Sequence, residues 1–288
     1  MSAWIQACRP ATLTVAAAPV VVGSAVAHVL GQFAMGPALG ALFGALAIQV
    51  GTNLANDVFD FKKGADTAER LGPTRAVQAG WLSPQAVTTG MIVAFGLAVV
   101  AGLYLAAVAG WPIVVVGIVS ILAGIGYTAG PAPLAYIGAA DVFVMVFFGQ
   151  VAVAGTTFVQ TLTWEPLALM VSVPIGALAT AVLVVNNLRD RNQDVKANKR
   201  TLVVRLGATF GQWEYRFLVA LAYIVPVALA VSSTTRPWIL LPLLSLPLAV
   251  VQVWQVATRD GRALNANLAG TARLLLVFSA LLAVGLLV

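Results

Sequence analysis

Charge is what this chain has least of. Only 9% of its 288 residues are Asp, Glu, Lys or Arg, where a soluble domain has about a quarter. So few charges cannot cover a water-facing surface, so most of the chain must face lipid. Cysteine is nearly absent too: Cys8 is the single one, which excludes an internal disulfide and a thiolate metal cage. His28 is the one histidine; it falls at the outer end of the first apolar run, a place for an interfacial or packed residue rather than a ligand. No nucleophile–base pair stands out. The glycine-containing stretch GPTRAVQAG (72–80) lacks the Gly-Lys-Ser/Thr ending of a nucleotide P-loop. The N-terminal MSAWIQACRP has one Arg and no cleavage pattern, so the first apolar run is expected to be a retained helix. No lipidation motif is expected either.

What is present in quantity is hydrophobic sequence, 60% of residues. A helix needs ~20 apolar residues to cross the hydrocarbon core. Runs of that kind fall at about 11–30, 37–58, 86–109, 112–128, 137–158, 166–188, 215–232, 237–256 and 268–288. The expectation is an all-α integral membrane protein, one domain over 1–288, with about nine transmembrane helices around a central cavity. With the N-terminus cytoplasmic and the C-terminus outside, every basic residue except Arg236 falls on the cytoplasmic side. That asymmetry is the signature of a multi-pass cell-membrane protein, and the bilayer is its first partner. It also disposes of nucleic acid as the reason for the net charge of +6. Trp4, Trp81, Trp111, Trp164 and Trp238 lie near predicted helix ends, as an aromatic belt does.

The acids are ten in all, yet Asp57, Asp60 and Asp66 fall within NLANDVFDFKKGAD (53–66). Asn53, Asp57 and Asp60 are spaced i, i+4, i+7 and share a helix face. At the end of the sixth run, NNLRDRNQD repeats the pattern: Asn186 and Asp190 have the Asn-x3-Asp spacing of Asn53 and Asp57, and Asp194 follows. Lys62 and Lys63 follow the first cluster; Lys196, Lys199 and Arg200 follow the second. These are two half-sites, at 53–66 and 186–200, on one side of the membrane. Carboxylate and amide oxygens suit Mg²⁺, which takes one or two carboxylates together with substrate phosphates, and helix C-termini favour a cation. Two such ions bridging a diphosphate, with the substrate's remainder in lipid, point to a prenyl diphosphate. The alternatives are carboxylates salt-bridged to neighbouring loop bases and an ion or proton pathway; transporter acids, however, usually sit near the midplane. Tyr127, in GYTAGPAPLAY (126–136), stands where it could donate to a phosphate or face a cation, or serve only as an interfacial tyrosine.

With these residues in place, the chain resembles the UbiA superfamily of intramembrane aromatic prenyltransferases over nearly its full length, and within it the 1,4-dihydroxy-2-naphthoate polyprenyltransferase branch of menaquinone synthesis. RPATLTVAAAPVVVG (9–23), the first acidic motif with its third Asp nine residues after the first, GPTRAVQAG, and NNLRDRNQDVKANKRTLVVRLG (186–207) carry the similarity. Two positions depart from the branch: Val58 where tyrosine is common, and Ala132 where a base is common. The resemblance implies Mg²⁺-dependent transfer of a prenyl group from a polyprenyl diphosphate to dihydroxynaphthoate, with loss of CO₂. Asp57, Asp60, Asp190 and Asp194 would be the catalytic carboxylates, holding two Mg²⁺ ions with Asn53 and Asn187. Lys62, Lys63, Arg75, Tyr127, Lys199 and Arg200 would bind the diphosphate, with Asp66 as a further metal or acceptor candidate. Transfer to 4-hydroxybenzoate or another acceptor, and ion-coupled transport, stand as rival readings.

Overall fold

The computed structural model describes residues 3–64, 70–131, 133–232 and 236–288; Asp66 and Ala132 lie outside them. All regular structure among these residues is helical. Eight helices are long and apolar enough to cross a bilayer: α1 (Pro10–Val29), α2 (Met35–Lys62), α3 (Pro84–Ala109), α5 (Ala140–Thr161), α6 (Pro166–Lys196), α7 (Ala208–Val231), α8 (Pro237–Thr258) and α9 (Gly261–Leu287). Between α3 and α5 runs α4, Trp111–Gly126, with 16 residues. Nine apolar helices therefore appear where nine runs were expected.

The differences lie at the polar ends. The run expected to stop at 188 continues as helix to Lys196, and α7 begins at Ala208 rather than near 215. The region 189–214, expected as a long loop, is largely helical, with a short helix Leu202–Leu206 inside it. Hydropathy marks where lipid ends, not where backbone hydrogen bonding ends, so polar helix ends escape it. The extension has a consequence. At 1.5 Å per residue, α2 with 28 residues and α6 with 31 are about 42 and 46 Å long, against a hydrocarbon core of about 30 Å. Their ends project past the apolar layer, and both acidic motifs sit on those projections.

The termini of the two helices are shaped by left-handed residues. Gly64, at φ 66, follows α2. Asn198, at φ 55, follows α6, and the Lys199 N–H donates back to the Asp194 carbonyl at 2.8 Å, the wrap-around bond of a Schellman-type end. That reversal turns Lys199 toward α2.

The apolar core centres on α6, where Val171, Ile175, Leu178, Val184 and Val185 pack with residues of α1, α5, α7, α8 and α9. α5 is unusual in carrying a π-helical stretch, Met145–Ala154. Here α5 and α6 approach closely through two glycines. A Cβ on Gly176 would lie 2.5 Å from the Met145 carbonyl oxygen and 3.1 Å from the Gly149 Cα. Small residues at such crossings let membrane helices gain dispersion contacts that larger ones forbid. Gly176→Ala is therefore expected to destabilise the fold by about 1–3 kcal/mol, read as a lower melting temperature in detergent; Gly155→Ala, whose Cβ meets nothing within 4 Å, should not lower it and should raise stability by up to about 1 kcal/mol.

Candidate active site

The projecting ends of α2 and α6 frame the mouth of a cavity of about 1070 Å³ that continues down between the helices. Asn56, Asp60, Asn186, Asn187, Asp190, Asp194, Arg9, Arg75 and Lys199 line its polar end. Below it the lining turns apolar, through α2, α3, α4 and α5.

Asp60 is 2% exposed and both its oxygens are engaged. Arg75 donates to Oδ2 at 3.1 Å, while Lys199 at 3.3 Å and the Tyr136 hydroxyl at 3.1 Å donate to Oδ1. The network thus joins the first motif, the segment after it, the α4–α5 connection and the turn after α6. Lys63 and Lys199 also lie over the Tyr136 ring, at 4.6 and 4.9 Å from its centroid. Tyr136 itself was not singled out from the sequence, since the GYTAGPAPLAY motif offers two tyrosines and Tyr127 is nearer the helix end. Burial, followed by the Asp141 charge, pushes the Tyr127 hydroxyl above its ordinary value. It therefore stays protonated, a donor at the cavity wall.

Asp57 has a different part. It does not line the cavity; its Oδ2 accepts from the Ala76 N–H at 3.0 Å and its Oδ1 from the Val77 N–H at 3.3 Å. Ala76 and Val77 are themselves buried against Leu54 and Val58 of α2. The segment 70–82 is thereby strapped across the site, bringing Arg75 onto Asp60. The strap's other edge is held by α9 and α6: Asn265 donates to the Leu71 carbonyl at 2.8 Å and accepts from Arg189 at 3.0 Å. The Arg189 guanidinium, 2% exposed, also pairs with both oxygens of Asp190 and with Asn186. Gly72 is the residue that lets the strap pass over it, because a Cβ there would lie 2.7 Å from an Arg189 nitrogen.

Asn53 borders the cavity, but its amide is spent on the N-terminal segment, donating to the Cys8 carbonyl at 3.0 Å and to Thr12 at 2.8 Å while accepting from Gln49. The neighbouring Asn56 accepts from Thr128 at 3.0 Å and faces the cavity instead. Arg9 joins the polar end from a left-handed backbone conformation at φ 51. Burial, then Arg75 and Arg70, push its guanidinium down to about 9, so it is still a cation at neutral pH. Of the basic candidates, Arg75 and Lys199 line the cavity; Lys62, Lys63 and Arg200 do not. Lys63 donates to the Thr128 carbonyl, Lys62 lies over Phe59, and Arg200 is exposed.

The donors left over suit a hard cation. The Asp194 side chain is 8% exposed, lines the cavity, and accepts no hydrogen bond among the described residues. No group of three His, Cys, Asp or Glu side chains converges among the described residues. Mg²⁺, which keeps waters and takes few carboxylates beside phosphate oxygens, needs no such cage.

The chain matches the model of the UbiA prenyltransferase family over residues 16–287. It is 40% identical over 257 residues to 1,4-dihydroxy-2-naphthoate octaprenyltransferase of Escherichia coli strain K12, covering 87% of this chain and 83% of that one. The enzyme of the same name from Mycobacterium tuberculosis is 38% identical over 277 residues, covering 96% and 94%. In fold, a UbiA homolog from Archaeoglobus fulgidus, solved bound to DMAPP and Mg²⁺, superposes with a TM-score of 0.69 at 13% identity, covering 98% of this chain and all of that one.

The two bonds to Asp57 make a test of the strap. Asp57→Asn turns an acceptor into a partial donor facing two N–H groups, a loss of about 1.5–3 kcal/mol. The variant should melt lower, and limited proteolysis should cut sooner within 70–82; unchanged protection there would show that Asp57 does not hold the strap.

Proposed function

Because the chain belongs to the UbiA prenyltransferase family, and is thus a multi-pass membrane enzyme that transfers prenyl groups, we propose that its reaction joins a polyprenyl group from the diphosphate to 1,4-dihydroxy-2-naphthoate, releasing diphosphate and CO₂ and giving demethylmenaquinol. The observation that carries this reading is the two-ended cavity, cationic and carboxylate-lined at one end and apolar through the rest. The acceptor is supported by the activity for which the relatives at 40% and 38% identity are named. The cavity's polar end faces the cytoplasm in this reading, as the distribution of basic residues favours.

Arg75, Lys199 and Arg9 would hold the diphosphate. Asp60, Asp190 and Asp194, with Asn56 and Asn187, would hold Mg²⁺, which supplies neutralising charge for the leaving group. As the diphosphate enters, Arg75 and Lys199 exchange part of their bond to Asp60 for phosphate oxygens, freeing that carboxylate. The allylic C–O bond breaks with its electron pair on the diphosphate. Tyr127 lines the cavity at the same end, where its ring would stabilise positive charge. The electron-rich acceptor ring attacks the allylic carbon, and the ring carboxylate leaves as CO₂, returning its electron pair to the ring. The apolar walls keep water from the cationic carbon.

Purified protein in detergent, given a prenyl diphosphate, Mg²⁺ and either dihydroxynaphthoate or 4-hydroxybenzoate, is expected to yield the prenylated naphthoquinol. EDTA should abolish it, and Asp194→Asn should lower kcat by at least about 100-fold. Prenylated hydroxybenzoate in its place would overturn the acceptor assignment, and ion-coupled flux without product would overturn the enzyme chemistry.

A further inference from the structure

The apolar part of the cavity ends on a floor. Ala41 of α2, Leu105 of α3, Ile113 of α4 and Val159 of α5 line it there. Leu105, Ile113 and Val159 are 8%, 5% and 2% exposed and form one apolar cluster with Phe158, against which Ala41 packs. Ala41 precedes Asp60 by nineteen positions on the same helix, a distance of about 28 Å along the axis. The cavity thus runs nearly the depth of the hydrocarbon core.

One helical turn nearer the polar end, each of the four helices presents a glycine to the cavity: Gly44, Gly102, Gly117 and Gly155. The spacing is three residues on α2 and α3 and four on α4 and α5. The chain direction alternates between these helices, so the glycine precedes the floor residue on α3 and α5 and follows it on α2 and α4. All four nonetheless fall on the same side of the floor.

Several glycines elsewhere in these helices have packing reasons, and two that do not, Gly96 and Gly126, do not line the cavity. A Cβ on Gly40 or Gly36 would strike Tyr104, and one on Gly51 would strike Phe95. At Gly102, Gly117 and Gly155 a Cβ would meet nothing within 4 Å, and at Gly44 it would make only an ordinary contact with Ala101 at 3.5 Å. Helix packing does not require glycine at these places. Glycine is also the poorest choice there for an ordinary helix interior. What the four have in common is the space they leave open. A ligand for the same cavity is indicated independently at its other end, where the Asn187 side chain is 5% exposed, lines the cavity, and has its Nδ2 without a hydrogen-bond partner among the described residues.

We propose that Gly44, Gly102, Gly117 and Gly155 form an open ring that admits the far end of the prenyl tail to the floor, so that ring and floor together set which tail lengths the enzyme accepts. The proposal rests on the reading of the substrate as a prenyl diphosphate. Since the bore is open at the ring, a larger side chain there fills it without disturbing the helix contacts. Only a tail long enough to reach the ring meets the obstruction.

The test compares kcat/KM for geranyl, farnesyl, geranylgeranyl and octaprenyl diphosphates, with dihydroxynaphthoate as acceptor. The wild type is set beside Gly102→Leu, Gly117→Leu and Leu105→Ala. A methylene more or less in an apolar pocket changes discrimination by about 10- to 200-fold. The leucine variants should therefore lose at least about tenfold on the longest donors and keep geranyl transfer within about twofold. Leu105→Ala, which deepens the floor, should shift preference toward longer donors. Equal loss at every length, or unchanged selectivity in all three variants, would overturn the proposal. Wild-type protein inert toward every donor would overturn the prenyl reading itself, a separate result.

Discussion

A carboxylate withdrawn from water must be answered by a cation or by N–H groups, because leaving it unpaired costs several kcal/mol. The architecture around the two acidic motifs follows from how each acid meets that demand. Asp60 is answered by Arg75, Lys199 and Tyr136, Asp57 by two backbone amides, and Asp190 by Arg189. The partners of Asp57 and Asp60 come from distant parts of the chain, and Arg189, the neighbour of Asp190, reaches across 76 positions to Asn265 of α9. The pairings are therefore what fastens the strap, the α4–α5 connection and α9 to the ends of α2 and α6. Asp194 is the one catalytic candidate of the second motif whose side chain accepts no hydrogen bond among the described residues, and it lines the cavity.

On the proposed reading, the same pairings prepare the site for an anion. Arg75 and Lys199 are held by Asp60, so little side-chain entropy would be left to lose when phosphate oxygens exchange for that carboxylate. A membrane interface, with one wet side, is where such an exchange of partners can occur without stranding a charge in lipid.

The helices were legible because they rest on composition and period. Each apolar run became a helix, and the repeated Asn-x3-Asp spacing did mark the ends that border the cavity. Side-chain roles were less legible. Asn53 and Asn56 sit one turn apart on α2, and the spacing i, i+4, i+7 favours Asn53; the packing of Cys8 and Thr12 against that face decides the matter otherwise. Asp57 reads like Asp60 in sequence, yet amides nineteen and twenty positions downstream claim it. Arg189 and Asn265 meet across 76 positions, and no local signal announces such a pair. Asp66 falls outside the described residues.

The π-helical stretch of α5 bears on more than local geometry. Adjacent residues point about 100° apart in an α-helix, so one residue added or lost turns everything beyond it by about that angle. Along α5 the cavity-lining residues run from Phe143 through the π-helical stretch, with Phe147, Phe148, Val151 and Ala152, to Gly155 and Val159. The wider turn hands back to α-helix at Gly155 in a fixed phase. Loss of one residue from this stretch would tighten it and rotate everything beyond it. Gly155 and Val159 would turn off the cavity while the residues at the acidic end stayed in place. The length of a helix is thus not freely exchangeable here: one residue of register separates an open bore from a blocked one.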